Sequence, residues 1–156
     1  MNMHLQIANF AFYICASFVG DLIIPEDVDS IGISAFCNCR SFDGKLVLPN
    51  KIKAIKTDTF CNCSKLSNSL EFPSSVSTIE LRAFYSCCSL TGSLKIPSDV
   101  EIIDPSTFAN CYGFTSLELH ENLGCIQNDA FYNCYGFEGN LIIPRTVTLI
   151  GKTAFY

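Results

Sequence analysis

Apolar and polar positions along this chain recur at a fixed interval far longer than the period of a helix or a strand. Phenylalanine stands at Phe12, Phe36, Phe60, Phe84, Phe108, Phe131 and Phe155, at intervals of 24 residues except for one of 23. Each of the first six is followed three residues later by cysteine, at Cys15, Cys39, Cys63, Cys87, Cys111 and Cys134. Ahead of the phenylalanine lies an apolar pair two residues apart and usually closed by proline, as in Leu22/Ile24 before Pro25 and Leu94/Ile96 before Pro97. Alternation over a short run that ends on a residue without an amide hydrogen predicts a strand. Between proline and phenylalanine comes V-x-x-I, as in Val28/Ile31 and Val100/Ile103. A spacing of three in so short a piece predicts a 3₁₀ turn or an extended arc pinned at two points.

A unit of this size has no core of its own, so the period predicts a stacked array in which each turn buries its apolar side chains against its neighbours. The 156 residues then form one array, 1–156, of about seven turns of 23–24 residues, coiled right-handed and β-rich. Equivalent strands are expected to pair in register as a parallel sheet, rising about 4.8 Å per turn. Gly20, Gly44, Gly92 and Gly139, with Asn68 replacing glycine once, precede the strand, where a corner with positive φ is expected. One residue is missing between Phe114 and Leu117, and in the same unit His120 replaces the proline. The sheet is expected to continue there with its curvature disturbed.

Charge and composition narrow the partners. The net charge is −5 and the ten lysines and arginines are scattered, which excludes a nucleic-acid backbone as the main partner and a polybasic membrane anchor. No run approaches the roughly 18 apolar residues that a membrane helix needs. The apolar opening, residues 1–20, has no basic leader and already obeys the repeat, since Ile7 precedes Phe12 as Ile31 precedes Phe36. It reads as repeat and not as a signal peptide.

The ten cysteines raise metal and redox chemistry. Cys37-x-Cys39, Cys61-x-Cys63 and Cys87-Cys88 lack the two-residue separation of structural zinc sites, and His4 and His120 are the only histidines. The six cysteines that follow phenylalanine are expected as small, buried, apolar packing residues, free thiols whose side chains run parallel. Cys37 and Cys61 follow phenylalanine directly, where other units carry Tyr13, Tyr85 and Tyr132. They are expected on adjacent turns and nearer the surface, as the pair to form a disulfide in an oxidising compartment. Asn62-Cys63-Ser64 fits the glycosylation pattern, but asparagine recurs at Asn38, Asn110 and Asn133, which favours a tight bend. There is no nucleophile elbow and no phosphate-cradling loop, and His4 and His120 lie about five turns apart. No catalytic residue, cofactor or metal is expected, and no enzyme.

The combination L-x-I-P-x-x-V-x-x-I-G-x-x-A-F-x-x-C, spread over residues 5–156, resembles the BspA-like, or Treponema pallidum type, leucine-rich repeats. The resemblance implies a curved leucine-rich-repeat solenoid with its parallel sheet on the concave face. It also implies a non-enzymatic protein-binding module of a cell-surface or extracellular adhesion or host-interaction protein. An intracellular scaffold is the alternative, favoured by the missing leader and by cysteines suited to a reduced state. Strand residues between the buried pair point outward: Ile23, Val47, Glu71, Lys95, Glu118 and Ile142. Asp21, Lys45, Ser69, Ser93, Ser116 and Asn140 stand just before the strand, so two columns would line the binding face. Ile23 beside Val47 makes an apolar patch, though β-branched residues also suit a strand. The repeat is under way at the start and stops in mid-unit at Phe155-Tyr156. Without polar caps, the array is expected to be a fragment or to associate end to end. Light scattering at high concentration checks this: assemblies above the monomer mass are expected, and a clean monomer contradicts self-association.

Overall fold

The computed structural model describes residues 4–156. Two strips of short parallel strands run along a β-solenoid that has no helix among the described residues. The L-x-I-P strip contains Leu22–Ile23, Leu46–Val47, Asn68–Ser69, Leu90–Lys95 and Phe114–Glu118. The V-x-x-I strip contains Leu5–Ile7, Val28–Ile31, Ala54–Ile55, Thr78–Ile79, Ile102–Ile103, Cys125–Ile126 and Leu149–Ile150. Most pairing joins equivalent residues, such as Leu22 with Leu46, Ile55 with Ile79, and Ile126 with both Ile103 and Ile150. Asn68 and Ser69 instead pair with Leu90 and Thr91, short of their counterparts Gly92 and Ser93. Within residues 1–20, the segment Leu5–Ile7 pairs with Val28–Ile31; residues 1–3 lie outside the described part.

Of the two readings that V-x-x-I allows, the extended arc is the one that forms. A 3₁₀ turn would satisfy amides only within its own turn. The arc instead donates to the turn before: the N–H groups of Gly32, Glu80, Gln127 and Gly151 meet the carbonyls of Ile7, Ile55, Ile103 and Ile126 at 2.7–2.9 Å. The L-x-I-P strip is less regular than the spacing predicts. Its third strand lies at Asn68–Ser69, ahead of Leu70, and residues 141–144 form no strand. At the unit that is one residue short, the register shifts between Phe114 and Ser116 and then continues, with Leu117 opposite Leu94 and Glu118 opposite Lys95. The sheet absorbs the deletion as a bulge.

The remaining side of each turn, G-x-x-A-F-x-x-C, is a chain of tight turns whose amides alternate in direction. The N–H groups of Ser34, Phe36 and Asn38 donate to Thr57, Thr59 and Cys61 of the next turn at 2.7–3.0 Å, while those of Ala35, Cys37 and Cys39 donate back three residues at 3.1–3.3 Å. Two residues per turn take left-handed φ to make this possible. Asn38, Asn62, Asn110 and Asn133 have φ of 58–63°, as the bend reading requires. A second left-handed column, Ser34, Asp58, Arg82, Ser106 and Asp129, has φ of 52–57°. Asn62 is engaged in the fold, since its Nδ2 donates to Asn38 Oδ1 at 3.1 Å. Gly20, Gly92 and Gly139 have φ of 79–85° and Asn68 has 68°. Gly44 departs from that expectation, because its φ is not left-handed and its role is close approach: a Cβ there would overlap Asp21.

The interior is one continuous apolar cluster. Its spine is the phenylalanine row, in which neighbouring rings from Phe12 to Phe155 lie 5.0–5.7 Å apart and within 20° of parallel. Those separations match offset stacking, which the ring quadrupole favours over a face-to-face sandwich. Phe60, Phe84 and Phe108 are fully buried. Phe84→Ala is expected to cost about 3–5 kcal/mol, and Lys95→Ala on the exposed strip less than about 1 kcal/mol. Urea melts of the two variants check this, and equal midpoints contradict the stacked spine.

Candidate protein-binding face

The L-x-I-P strip turns its alternate residues outward, as the two-residue period requires. Ile23, Glu71, Lys95, Glu118 and Ile142 are exposed, and Val47 is half-buried. In the preceding column Asp21, Lys45, Ser69 and Asn140 are exposed, while Ser93 and Ser116 are half-buried. Ile142 stands apart from the others because its segment is not a strand.

Several of these groups are already occupied within the array. Lys95 Nζ lies 3.4 Å from Glu118 Oε2, and the Ser93 hydroxyl donates to Glu118 Oε1 at 2.9 Å. Asp21 Oδ1 accepts the Lys45 N–H at 2.9 Å. Among the described residues, the Lys45 ammonium and the Glu71 carboxylate have no ion partner. They flank a trough of about 380 Å³ whose floor includes Leu46, Leu48 and Phe72. Phe72 stands where most units carry isoleucine or leucine, and its ring packs edge-on against Phe84 at 5.6 Å. That substitution was the signal for the recess, and spacing alone did not reveal it. A second apolar recess, of about 270 Å³, lies under Ile23 beside Phe18 and Phe42.

The thiols take no part in this face. Those of Cys39, Cys63, Cys87, Cys111 and Cys134 each donate to the carbonyl of a phenylalanine one turn earlier, at 2.9–3.1 Å. They are therefore hydrogen-bond donors as well as packing residues. Burial pushes Cys39 up to about 11 and Cys134 to about 12, and holds Cys63, Cys87 and Cys111 well above the ordinary thiol range. At neutral pH they are thiols and not thiolates, so they are poor nucleophiles and poor metal ligands. Among the described residues, no three histidine, cysteine or acidic side chains converge as a metal would need.

Cys37 and Cys61 lie on adjacent turns, yet both are buried rather than near the surface. A cysteine is too short to reach the level of the tyrosines in its column, so the pair sits at the bottom of the gap between Tyr13 and Tyr85. His120 is half-buried rather than solvated: its Nδ1 accepts the Asn122 N–H at 3.2 Å and its Nε2 is buried without a partner. His4 bonds Asp29 at 2.6 Å. Neither histidine is set beside a nucleophile.

The fold defines a parallel β-solenoid repeat protein with columns of outward side chains along its strips. The BspA type leucine-rich repeat region matches residues 5–44 and 44–156 in six copies, and the chain belongs to that family. It is similar in structure to a leucine-rich cell surface protein of Faecalibacterium prausnitzii, with 28% identity and a TM-score of 0.79 over 96% of this chain and 39% of that one. It is also similar to the leucine-rich repeat protein of T. pallidum, with 30% identity and a TM-score of 0.80 over 94% of this chain and 66% of that one. A leucine-rich repeat protein of Bacteroides ovatus gives 25% identity and a TM-score of 0.72, covering 94% of this chain and 43% of that one. The chain thus spans less than two thirds of the length of each of these proteins. No curated protein matches it. No helix among the described residues is long and apolar enough to cross a membrane.

The raised thiols make stability depend on pH. A group held protonated in the folded state supports folding fully below its unfolded value, about 8.5. That support is lost as pH rises toward the folded values of about 11–12. Each such thiol is expected to remove about 1.4 kcal/mol per pH unit in that window. Melting under reductant is therefore expected to be steady from pH 6 to 8 and to fall steeply by pH 10, and equal stability at pH 7 and pH 10 contradicts this.

Proposed function

We propose that this chain is a non-enzymatic protein-binding array acting through the outward columns of its L-x-I-P strip, within a cell-surface adhesion or host-interaction protein. The observation that carries this reading is the trough between Lys45 and Glu71, an apolar floor with two unpaired, opposite charges where one sheet of the strip gives way to the next. An apolar recess of this kind takes an anchoring side chain of a partner, and flanking charges fix its orientation and exclude wrong partners. The likeness to the F. prausnitzii cell surface protein supports the surface setting. An intracellular scaffold is the second reading, favoured by five buried thiols used as hydrogen-bond donors, a role that needs them reduced.

An antibody against the array, applied to intact and to permeabilised source cells, separates the two settings. Labelling of intact cells is expected, and labelling only after permeabilisation overturns the surface reading. The face itself is tested by Lys45→Glu with Glu71→Lys. The double variant is expected to bind a partner captured by the wild-type array at least about tenfold more weakly, with Tyr135→Ala as a control off the face. Unchanged binding by the double variant places the contact elsewhere.

A further inference from the structure

Cys37 and Cys61 are arranged unlike the five thiols that donate to phenylalanine carbonyls. They occupy equivalent positions, one residue after Phe36 and Phe60, in the column that elsewhere holds Tyr13, Tyr85, Ala109, Tyr132 and Tyr156. Members of that column approach closely, as the stacked rings of Tyr132 and Tyr156 show at 5.2 Å. The backbones at the two cysteines are bonded directly: the Asn38 N–H donates to the Cys61 carbonyl at 2.7 Å. In-register parallel neighbours lie about 4.8 Å apart, inside the Cα range that a disulfide spans. Both thiols are free, and Cys37 Sγ accepts a hydrogen bond from Asn38 Nδ2 at 3.3 Å. Both lie in a trough of about 520 Å³ bounded by Tyr13 and Tyr85, with the Asp58–Arg82 pair along its wall at 2.8–2.9 Å. Both thiols are nearly buried, 6% and 7% exposed, and the area they keep faces this trough, which is the side from which a small reagent reaches them.

We propose that Cys37 and Cys61 are an inter-turn redox pair that closes to a disulfide when the array meets a small-molecule disulfide of the glutathione type. The Cys37 thiolate attacks one sulfur of the oxidant, forming a mixed disulfide and releasing one glutathione thiolate, which takes up a proton. The Cys61 thiolate then attacks the Cys37 sulfur and releases the second glutathione. Two protein S–H bonds are replaced by one S–S bond, and the oxidant's S–S bond by two S–H bonds. Cys37 goes first because the Asn38 Nδ2 donor at 3.3 Å stabilises its thiolate. The new bond ties the second turn to the third across 24 residues (61 − 37) and restrains that joint from unstacking. The pair shares no residue with the Lys45–Glu71 trough, so closure leaves the proposed binding face intact.

The test is to incubate the reduced full chain with oxidised glutathione under native conditions between pH 7 and 9, then alkylate and map peptides by mass. Loss of two hydrogens and a Cys37–Cys61 linked peptide are expected. The rate is expected to rise about tenfold per pH unit, since burial holds Cys37 above the ordinary thiol range and Cys61 at about 12. Cys61→Ser is expected to trap a glutathione adduct on Cys37. The oxidised wild type is expected to melt about 5 °C or more above the reduced form, a difference absent from Cys61→Ser. Glutathione adducts or linked peptides at other cysteines, with Cys37 and Cys61 both alkylated, overturn the proposal.

Discussion

Every turn of this molecule is held by what lies one turn away. Alternate amides along the corner find their carbonyls in the next turn, and each phenylalanine of the row finds another phenylalanine. Because a residue's neighbour is its own counterpart, a side chain is tolerated only if it stacks well on its own kind. Aromatic rings do so by offset stacking, and asparagines by donating Nδ2 to the Oδ1 one turn earlier, as Asn133 does to Asn110 at 2.9 Å. Like charges do not, and the array alternates them instead: Asp58 faces Arg82, and Lys95 faces Glu118. Glu80 and Asp104 are the exception, two carboxylates on adjacent turns, where burial and the neighbouring charge together raise Asp104.

This constraint explains why so much of the fold was legible in the sequence. The buried positions must repeat, so the phenylalanine and cysteine spacings located the core and counted the turns directly. What the spacing did not carry was direction. V-x-x-I marks two buried points and leaves the path between them open; inter-turn bonds such as Gly32 N–H to Ile7 O choose the extended path. The left-handed column at Ser34, Asp58, Arg82 and Ser106 went unread because its side chains vary from unit to unit, and only its preference for serine and aspartate hinted at it.

The face was legible as a set of positions but not as a site. Alternation placed Lys45, Glu71, Lys95 and Glu118 outward, whereas their energetic standing depends on neighbours that only coordinates supply. Lys95 and Glu118 satisfy each other, whereas Lys45 and Glu71 have no ion partner among the described residues. The thiols divide in the same way. A cysteine that donates to a backbone carbonyl serves the stack, as Cys87 does, whereas Cys37 and Cys61 make no such bond and line a trough.

The central claim is that stability is transmitted from turn to turn and nowhere else. Native-state hydrogen exchange of the inter-turn amides tests it most directly. The amides of Phe60 and Phe84, which donate to Ala83 and Thr107, are predicted to exchange only through global unfolding, with protection declining toward Phe12 at one end and Phe131 at the other. Exchange of the Phe60 and Phe84 amides as fast as exposed loops, or protection that is uniform along the array, would contradict the account.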